Sequence, residues 1–179
     1  VRICYKLLYL LFKDKEMIHL AFLAKKMQYN VTITIEGLNE LNTIIEVAKE
    51  TLLELPNIGI RVKLHSCGSG KWYKSGGIDS KFGLSSTEIL DAFDILKVND
   101  MLGYFTMIHF HIGSSMNNIS PLKKALKESG HIYAELKNMG CFNLNSINIG
   151  GGLAIEYSQY NRSRFYCLDE FTSDVVFIL

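Results

Sequence analysis

Hydrophobic and polar positions along the chain alternate between the spacing of helices and that of strands. Apolar residues recur three or four positions apart within Asp14–Tyr29, and again within Leu38–Leu55 up to Pro56. This spacing predicts two helices that each bury one face. Between them, the β-branched run Val31–Ile35 predicts a buried strand.

The same alternation continues through the rest of the chain. Three further strands are predicted, at Ile58–Leu64, Thr106–Ile112 and Asn145–Ile149. Together with the intervening helices they make four clear strand–helix units. This alternation favours the α/β class, with a parallel sheet covered by helices.

The later helices have recognisable first turns. Ser85 and Glu88 have the spacing of a capping box, which predicts a helix whose apolar stripe includes Leu90. Ser120 followed by Pro121 predicts an N-cap and a proline at the first helical position. A last helix is predicted from about residue 169 to the end of the chain.

Unusual residues follow three of the predicted strands at their carboxyl ends. They occupy residues 65–70, His111–Ser114 and Gly150–Gly152. Ligands of parallel α/β folds collect at this edge of the sheet. The three segments therefore predict one shared site.

The overall composition is that of a folded globular protein. Of the 179 residues, 48% are hydrophobic and 21% are charged, which excludes a mainly disordered chain. The net charge of +1 offers no general electrostatic argument for nucleic acid or membrane partners, and neither is expected.

Residues 1–12 are too short for a membrane span and lack a signal-peptide cleavage pattern. The charge-rich helical stretches around Glu40 and Lys123 are interpreted as solvated faces.

The four cysteines predict an intracellular protein. Cys4, Cys67, Cys141 and Cys167 are far apart in sequence, and none has zinc-type spacing. Scattered free thiols are typical of a reducing compartment, so we expect the cytoplasm.

Two glycine-rich segments could bind an anion or form simple turns. The segment Gly68–Lys71 lacks the Walker A pattern, because His65 and Trp72 occupy positions that need glycine and Ser or Thr. A nucleotide P-loop is therefore excluded. The triplet Gly150–Gly152 would let backbone N–H groups approach an anion, although a tight strand-to-helix turn explains it equally well.

His109 and His111 lie two residues apart on one predicted strand and so face the same side. No carboxylate or cysteine stands nearby in sequence, and no metal site is predicted. A neutral imidazole could stack on an aromatic cofactor, with Ser114 binding a phosphate at the strand end. A hydrogen-bonded interior histidine is the simpler interpretation of the spacing alone.

Several of these strings together resemble the biosynthetic arginine decarboxylases. Residues 61–84 contain RVKL, GSGKW, SGG and SKFGL, and residues 109–114 (HFHIGS) and 148–153 (NIGGGL) follow in the same order. The GSGKW block is specific to that family. The other motifs are shared with the wider group of pyridoxal-phosphate decarboxylases that have an alanine-racemase-like barrel. The resemblance runs from about Lys13 to Leu179.

The resemblance implies a (β/α)8 TIM barrel that carries pyridoxal 5'-phosphate. The implied activity is decarboxylation of L-arginine to agmatine and CO2, for polyamine and spermidine synthesis. A homo-oligomer and a magnesium requirement are also implied. His111 would stack on the pyridine ring, and Arg61 or Lys63 could line the site. The implied cofactor-binding residues are His111, Ser114, Gly150, Gly151 and Gly152.

The resemblance also implies that parts of the barrel lie outside this chain. The family's Schiff-base lysine would lie upstream of Lys13, and the acidic partner of the pyridine nitrogen beyond Leu179. Residues 13–179 would then be the central part of the barrel domain, with residues 1–12 unmatched, as after a frameshift or late initiation. Asn148 and Ala154 stand where the family has Asp and Gly. We expect the chain alone to self-associate through its open sheet edges and to be inactive.

Two alternatives to arginine decarboxylation stay open. One is another decarboxylase of the same group, acting on diaminopimelate, ornithine or carboxynorspermidine. The other is a non-catalytic remnant that binds a phosphate ligand.

Overall fold

A computed structural model of the chain describes residues 6–9, 13–66, 80–113, 119–151 and 168–178. Within these ranges, five parallel strands form one sheet in which spatial order follows chain order. The strands are β1 (Lys6–Tyr9), β2 (Asn30–Ile35), β3 (Asn57–Arg61), β4 (Phe105–His109) and β5 (Ser146–Asn148). Sequential parallel order is the arrangement of strands in the wall of a (β/α)8 barrel.

Helices occupy the connections between the strands, which confirms the predicted α/β class. They are α1 (Lys15–Lys26), α2 (Leu38–Thr51), α3 (Ser86–Val98) and α4 (Ser120–Asn138), and a fifth helix, α5 (Leu168–Ile178), follows β5. A short 3-10 turn, Leu102–Tyr104, precedes β4. None of the described helices is long and apolar enough to cross a membrane.

Local chemistry explains where the helices begin and end. The predicted capping box of α3 is confirmed, with the Ser85 and Glu88 side chains each bonded to the other's backbone N–H. Helix α4 begins one residue earlier than predicted, because Ile119 and not Ser120 is its N-cap. Helix α2 ends at Thr51 because Leu52 adopts a left-handed conformation, which turns its side chain into solvent.

Two further details of the sequence prediction are corrected by the structure. Strand β1 lies within residues 1–12, where the pattern predicts no strand, and it pairs with β2. Leu90 is 49% exposed, because Ile89, Phe93 and Leu96 already form the buried face of α3. An apolar residue beside a helical stripe can therefore remain in water.

The two faces of the sheet differ in chemistry, because aligned residues of neighbouring parallel strands share a face. We call one the helix-covered face, since its side chains join those of the helices in one hydrophobic core. It consists of Val31, Ile33, Ile35, Ile58, Ile60, Ile108 and Ile147. We call the other the inner face, and it carries Thr32, Thr34, Gly59, Arg61, Met107, His109, Ser146 and Asn148.

Candidate functional site

The carboxyl ends of β3, β4 and β5 place three polar residues side by side on the inner face. Arg61 is the register partner of His109, and His109 is the register partner of Asn148. His111 follows β4 by two residues, and the turn 148–151 follows β5. The structure therefore brings His111 together with Gly150 and Gly151. Ser114, Gly152 and residues 67–70 lie outside the described residues.

The turn 148–151 passes so close to the end of β4 that one of its residues must be glycine. Gly150 has a φ of +72°, and a Cβ atom there would lie 2.6 Å from the Phe110 carbonyl oxygen and 2.9 Å from His111 Nδ1. Both the left-handed backbone and the lack of space exclude a side chain. The Gly150 N–H donates to Asn148 Oδ1 at 2.9 Å, which closes the turn.

Gly151 has a different environment from its neighbour. A Cβ atom at Gly151 would have no described atom within 4 Å. The Gly151 N–H donates to His111 Nδ1 over 3.4 Å, which is long for a hydrogen bond. An anion could therefore compete for this amide more readily than for that of Gly150.

His109 at the end of β4 and His111 two residues later both have a lowered pKa, which favours the neutral imidazole. His109 is 3% exposed, and burial, with a smaller contribution from Arg61, lowers its pKa to about 4. The ring of His111 is half-buried, and the same two causes lower its pKa. His109 Nδ1 lies 3.1 Å from the Asn148 carbonyl oxygen, so the predicted alternative of a hydrogen-bonded interior histidine describes His109 well.

Arg61 is a buried cation fixed by two contacts at this edge. Its Nη1 donates to both carboxylate oxygens of Glu36, at 3.1 and 3.0 Å. Its guanidinium carbon lies 5.1 Å from the centre of the Phe82 ring. The sequence left open whether Arg61 or Lys63 could line the site. Arg61 lies beside His109 in the sheet, so it is the residue that borders the histidines.

A second buried ion pair supports this arrangement, and the sequence interpretation missed it. Glu40 is 5% exposed, so its assignment to a solvated face is wrong. Its carboxylate accepts the Lys13 N–H at 2.9 Å and the Glu36 N–H at 2.7 Å, and lies 3.3 Å from Lys13 Nζ. Burial lowers the pKa of Lys13, while Glu40 opposes the shift. The sequence signal for this burial was the position of Glu40 four residues before Ile44, which places it on the buried face of α2.

Within the described ranges, no three His, Cys, Asp or Glu side chains stand close enough together to bind a metal ion. Cys141 is buried and has a free thiol, and the other three cysteines lie outside those ranges.

Comparisons with known proteins identify the family of this chain. The family model for the pyridoxal binding domain of pyridoxal-dependent decarboxylases matches residues 11–174. The biosynthetic arginine decarboxylase of Citrifermentans bemidjiense is 45% identical over 93% of this chain. The chain spans about a quarter (26%) of the length of that relative.

Solved structures share the fold. The biosynthetic arginine decarboxylase of Campylobacter jejuni has a TM-score of 0.86 and 52% identity, covering 97% of this chain and 28% of its own. Diaminopimelate decarboxylase from Helicobacter pylori, solved with L-lysine, has a TM-score of 0.76 at 22% identity, covering 94% of this chain and 41% of its own. The expected partial (β/α)8 barrel is thus confirmed, and the chain belongs to the family of pyridoxal-dependent decarboxylases, within their pyridoxal binding domain.

Proposed function

We propose that the protein containing this chain decarboxylates L-arginine to agmatine and CO2 with pyridoxal phosphate. The observation that carries the proposal is its 45% and 52% identity with two biosynthetic arginine decarboxylases. Identity with the diaminopimelate decarboxylase is only 22%, which favours arginine among the substrates of the group.

The residues at the carboxyl edge fit pyridoxal phosphate at three points. The neutral, half-buried ring of His111 offers a flat surface for an aromatic ring. A Cβ atom at Gly151 would meet no described atom within 4 Å, and the Gly151 N–H makes only a long bond. The buried ion pair of Arg61 with Glu36 borders the same edge. The Gly150 N–H is already bonded to Asn148, so Gly150 would act through its conformation.

Each of these residues has a separate task in the proposed site. His111 packs against the cofactor ring without adding a charge, and the Gly151 amide, with Ser114 and Gly152, binds the phosphate. Arg61, fixed by Glu36, lines the edge of the sheet beside His109. Pyridoxal phosphate, when bound, supplies a conjugated ring that takes up the electron pair left by departing CO2.

The finer expectations are part of the same proposal and rest on the resemblance. They are a cytoplasmic homo-oligomer, a magnesium requirement, and a product that feeds polyamine and spermidine synthesis. The Schiff-base lysine and the acidic partner of the pyridine nitrogen would come from outside residues 13–179, so this chain alone would be inactive.

Substrate choice is tested on the native polypeptide that contains this chain, purified from its source cells. Carboxyl-labelled arginine should release labelled CO2, with agmatine identified by mass. Ornithine, diaminopimelate and carboxynorspermidine, offered at the same concentration, should release none. Turnover of one of these three in place of arginine would replace the proposed substrate.

The cofactor site is tested by a matched pair of glycine variants in the same native polypeptide. Gly150→Ala should weaken pyridoxal phosphate binding about tenfold or more, because alanine is strained at this φ and has no space. Gly151→Ala keeps the amide N–H and should weaken it less, since position 151 has no left-handed φ and a Cβ atom there meets no described atom within 4 Å. Equal binding by wild type and both variants, measured by equilibrium dialysis, would remove the turn 148–151 from the cofactor site.

A further inference from the structure

We infer that His109 is a positioning residue, whose Nδ1–H holds the Asn148 carbonyl and thereby sets the turn 148–151 against His111. The cofactor part of this inference rests on the proposed function. The geometric part stands on the contacts of the described residues alone.

The contact between His109 and Asn148 fixes the tautomer of the imidazole. A carbonyl oxygen can only accept, so the 3.1 Å approach of Nδ1 requires a hydrogen on Nδ1. A ring with a pKa near 4 is neutral at neutral pH and carries one hydrogen. His109 is therefore the Nδ1–H tautomer, with an unprotonated Nε2.

The contact at His111 favours the opposite tautomer. Its Nδ1 lies 3.4 Å from the Gly151 nitrogen, whose N–H can only donate, so this long contact favours a ring hydrogen on Nε2. The two histidines thus contact the turn at its two ends, His109 at Asn148 and His111 at Gly151. The Asn148 side chain, bonded to the Gly150 N–H, closes the turn between these contacts.

A cationic or an apolar residue would not serve at position 109. Arg61 is the neighbour on β3, so a lysine there would place two cations side by side in the buried edge. The carboxylate of Glu36, which follows β2, already pairs with Arg61, and Lys13 pairs with Glu40. An apolar residue would leave the Asn148 carbonyl with one donor among the described residues, the Phe110 N–H at 3.0 Å. A neutral donor suits a position between a guanidinium and a carbonyl.

A matched pair of variants separates the Nδ1–H contact from simple filling of space. Asparagine carries its amide nitrogen on Cγ, at the place of His Nδ1, whereas glutamine carries it one bond further, near Nε2. His109→Asn should keep the bond to Asn148, and His109→Gln should lose it. The native polypeptide should then bind pyridoxal phosphate within about twofold of wild type for His109→Asn, and about fivefold more weakly for His109→Gln. Equal loss in both variants, or no loss in either, would overturn the inference.

Two magnetic resonance readouts need no cofactor. In the apo protein, ¹⁵N-labelled His109 should show the Nδ1–H tautomer across the neutral range, and the Gly150 and Gly151 amide shifts should move in His109→Gln but not in His109→Asn. An Nε2–H tautomer or unmoved glycine amides would refute the positioning role. Failure of the wild type to bind pyridoxal phosphate would refute the proposed function, and with it the cofactor part of the inference, while these readouts still decide the geometric part.

Discussion

The helix-covered face of the sheet consists of isoleucine and valine, whereas the inner face carries mainly polar residues (threonine, arginine, histidine, serine and asparagine) beside Gly59 and Met107. Burial of an aliphatic side chain stabilises a fold by about 1.5–3 kcal/mol. Burial of a polar group costs free energy unless its hydrogen bonds are made. The helix-covered face therefore supplies stability, and the inner face keeps polar groups that a purely structural sheet would not need.

The inner face itself divides into bonded and unbonded positions. Arg61 and His109, at the carboxyl edge, have partners in Glu36 and Asn148. The Thr32 and Thr34 hydroxyls, deeper in the sheet, are buried without a partner among the described residues. Among the described residues of the inner face, the polar contacts are thus concentrated at the edge that carries the candidate site.

The largest effect should come from breaking the buried charge pair of the inner face. Both side chains of the Glu36–Arg61 pair are 8% exposed. Glu36→Ala should lower the free energy of unfolding by about 3–5 kcal/mol, because it leaves a buried guanidinium without its counter-ion. Urea unfolding measures the loss. The exposed Glu46→Ala is the control, and a loss as small as that of the control would mean that water already screens Arg61.

A truncation on the helix-covered face should cost about as much, or slightly less. Ile60 is fully buried between β2 and β4. Ile60→Ala should destabilise the protein by about 2–5 kcal/mol through lost burial and a residual cavity. Ile60→Val should cost only about 0.5–1.5 kcal/mol in the same denaturation experiment. Similar costs for both variants would show that the cavity collapses.

The next effect is a pH dependence that belongs to the inner face. His109 has a folded pKa of about 4, below the ordinary value of 6.5. As the pH falls from about 6.5 to about 4, the unfolded chain binds a proton at this residue and the folded protein does not. The contribution of His109 to the free energy of unfolding is therefore fully present above this window and is lost within it. The difference in stability between wild type and His109→Asn should change by about 3 kcal/mol across the window. A constant difference would mean that His109 titrates normally.

The smallest effect should have the opposite sign. The Thr34 hydroxyl is buried without a partner among the described residues. Thr34→Val should therefore raise the free energy of unfolding by about 1 kcal/mol, because it removes an unsatisfied polar atom at nearly constant volume. Thr34→Ser, which keeps the hydroxyl, should not stabilise. A destabilised Thr34→Val would indicate that the hydroxyl binds a group beyond the described residues.

Much of the fold follows from local signals in the sequence. The β-branched run of β2, the apolar stripe of α2 and the Ser85–Glu88 capping box each predicted an element that the structure contains. Strand β1 was not predicted, because a four-residue strand among apolar neighbours shows no alternation of polar and apolar residues that marks it as a strand. The early end of α2 depends on the conformation of Leu52, which its neighbours in sequence do not reveal.

The candidate site divides in the same way. Sequence alone determined which segments follow the strands, and motif resemblance pointed to His111 and the glycine triplet as cofactor residues. Only the tertiary structure decided the partners: Glu36 for Arg61, Asn148 for His109, and Glu40 for Lys13. Each pair joins different elements of the fold, and burial and hydrogen-bond direction, which set pKa and tautomer, exist only once those elements are packed together.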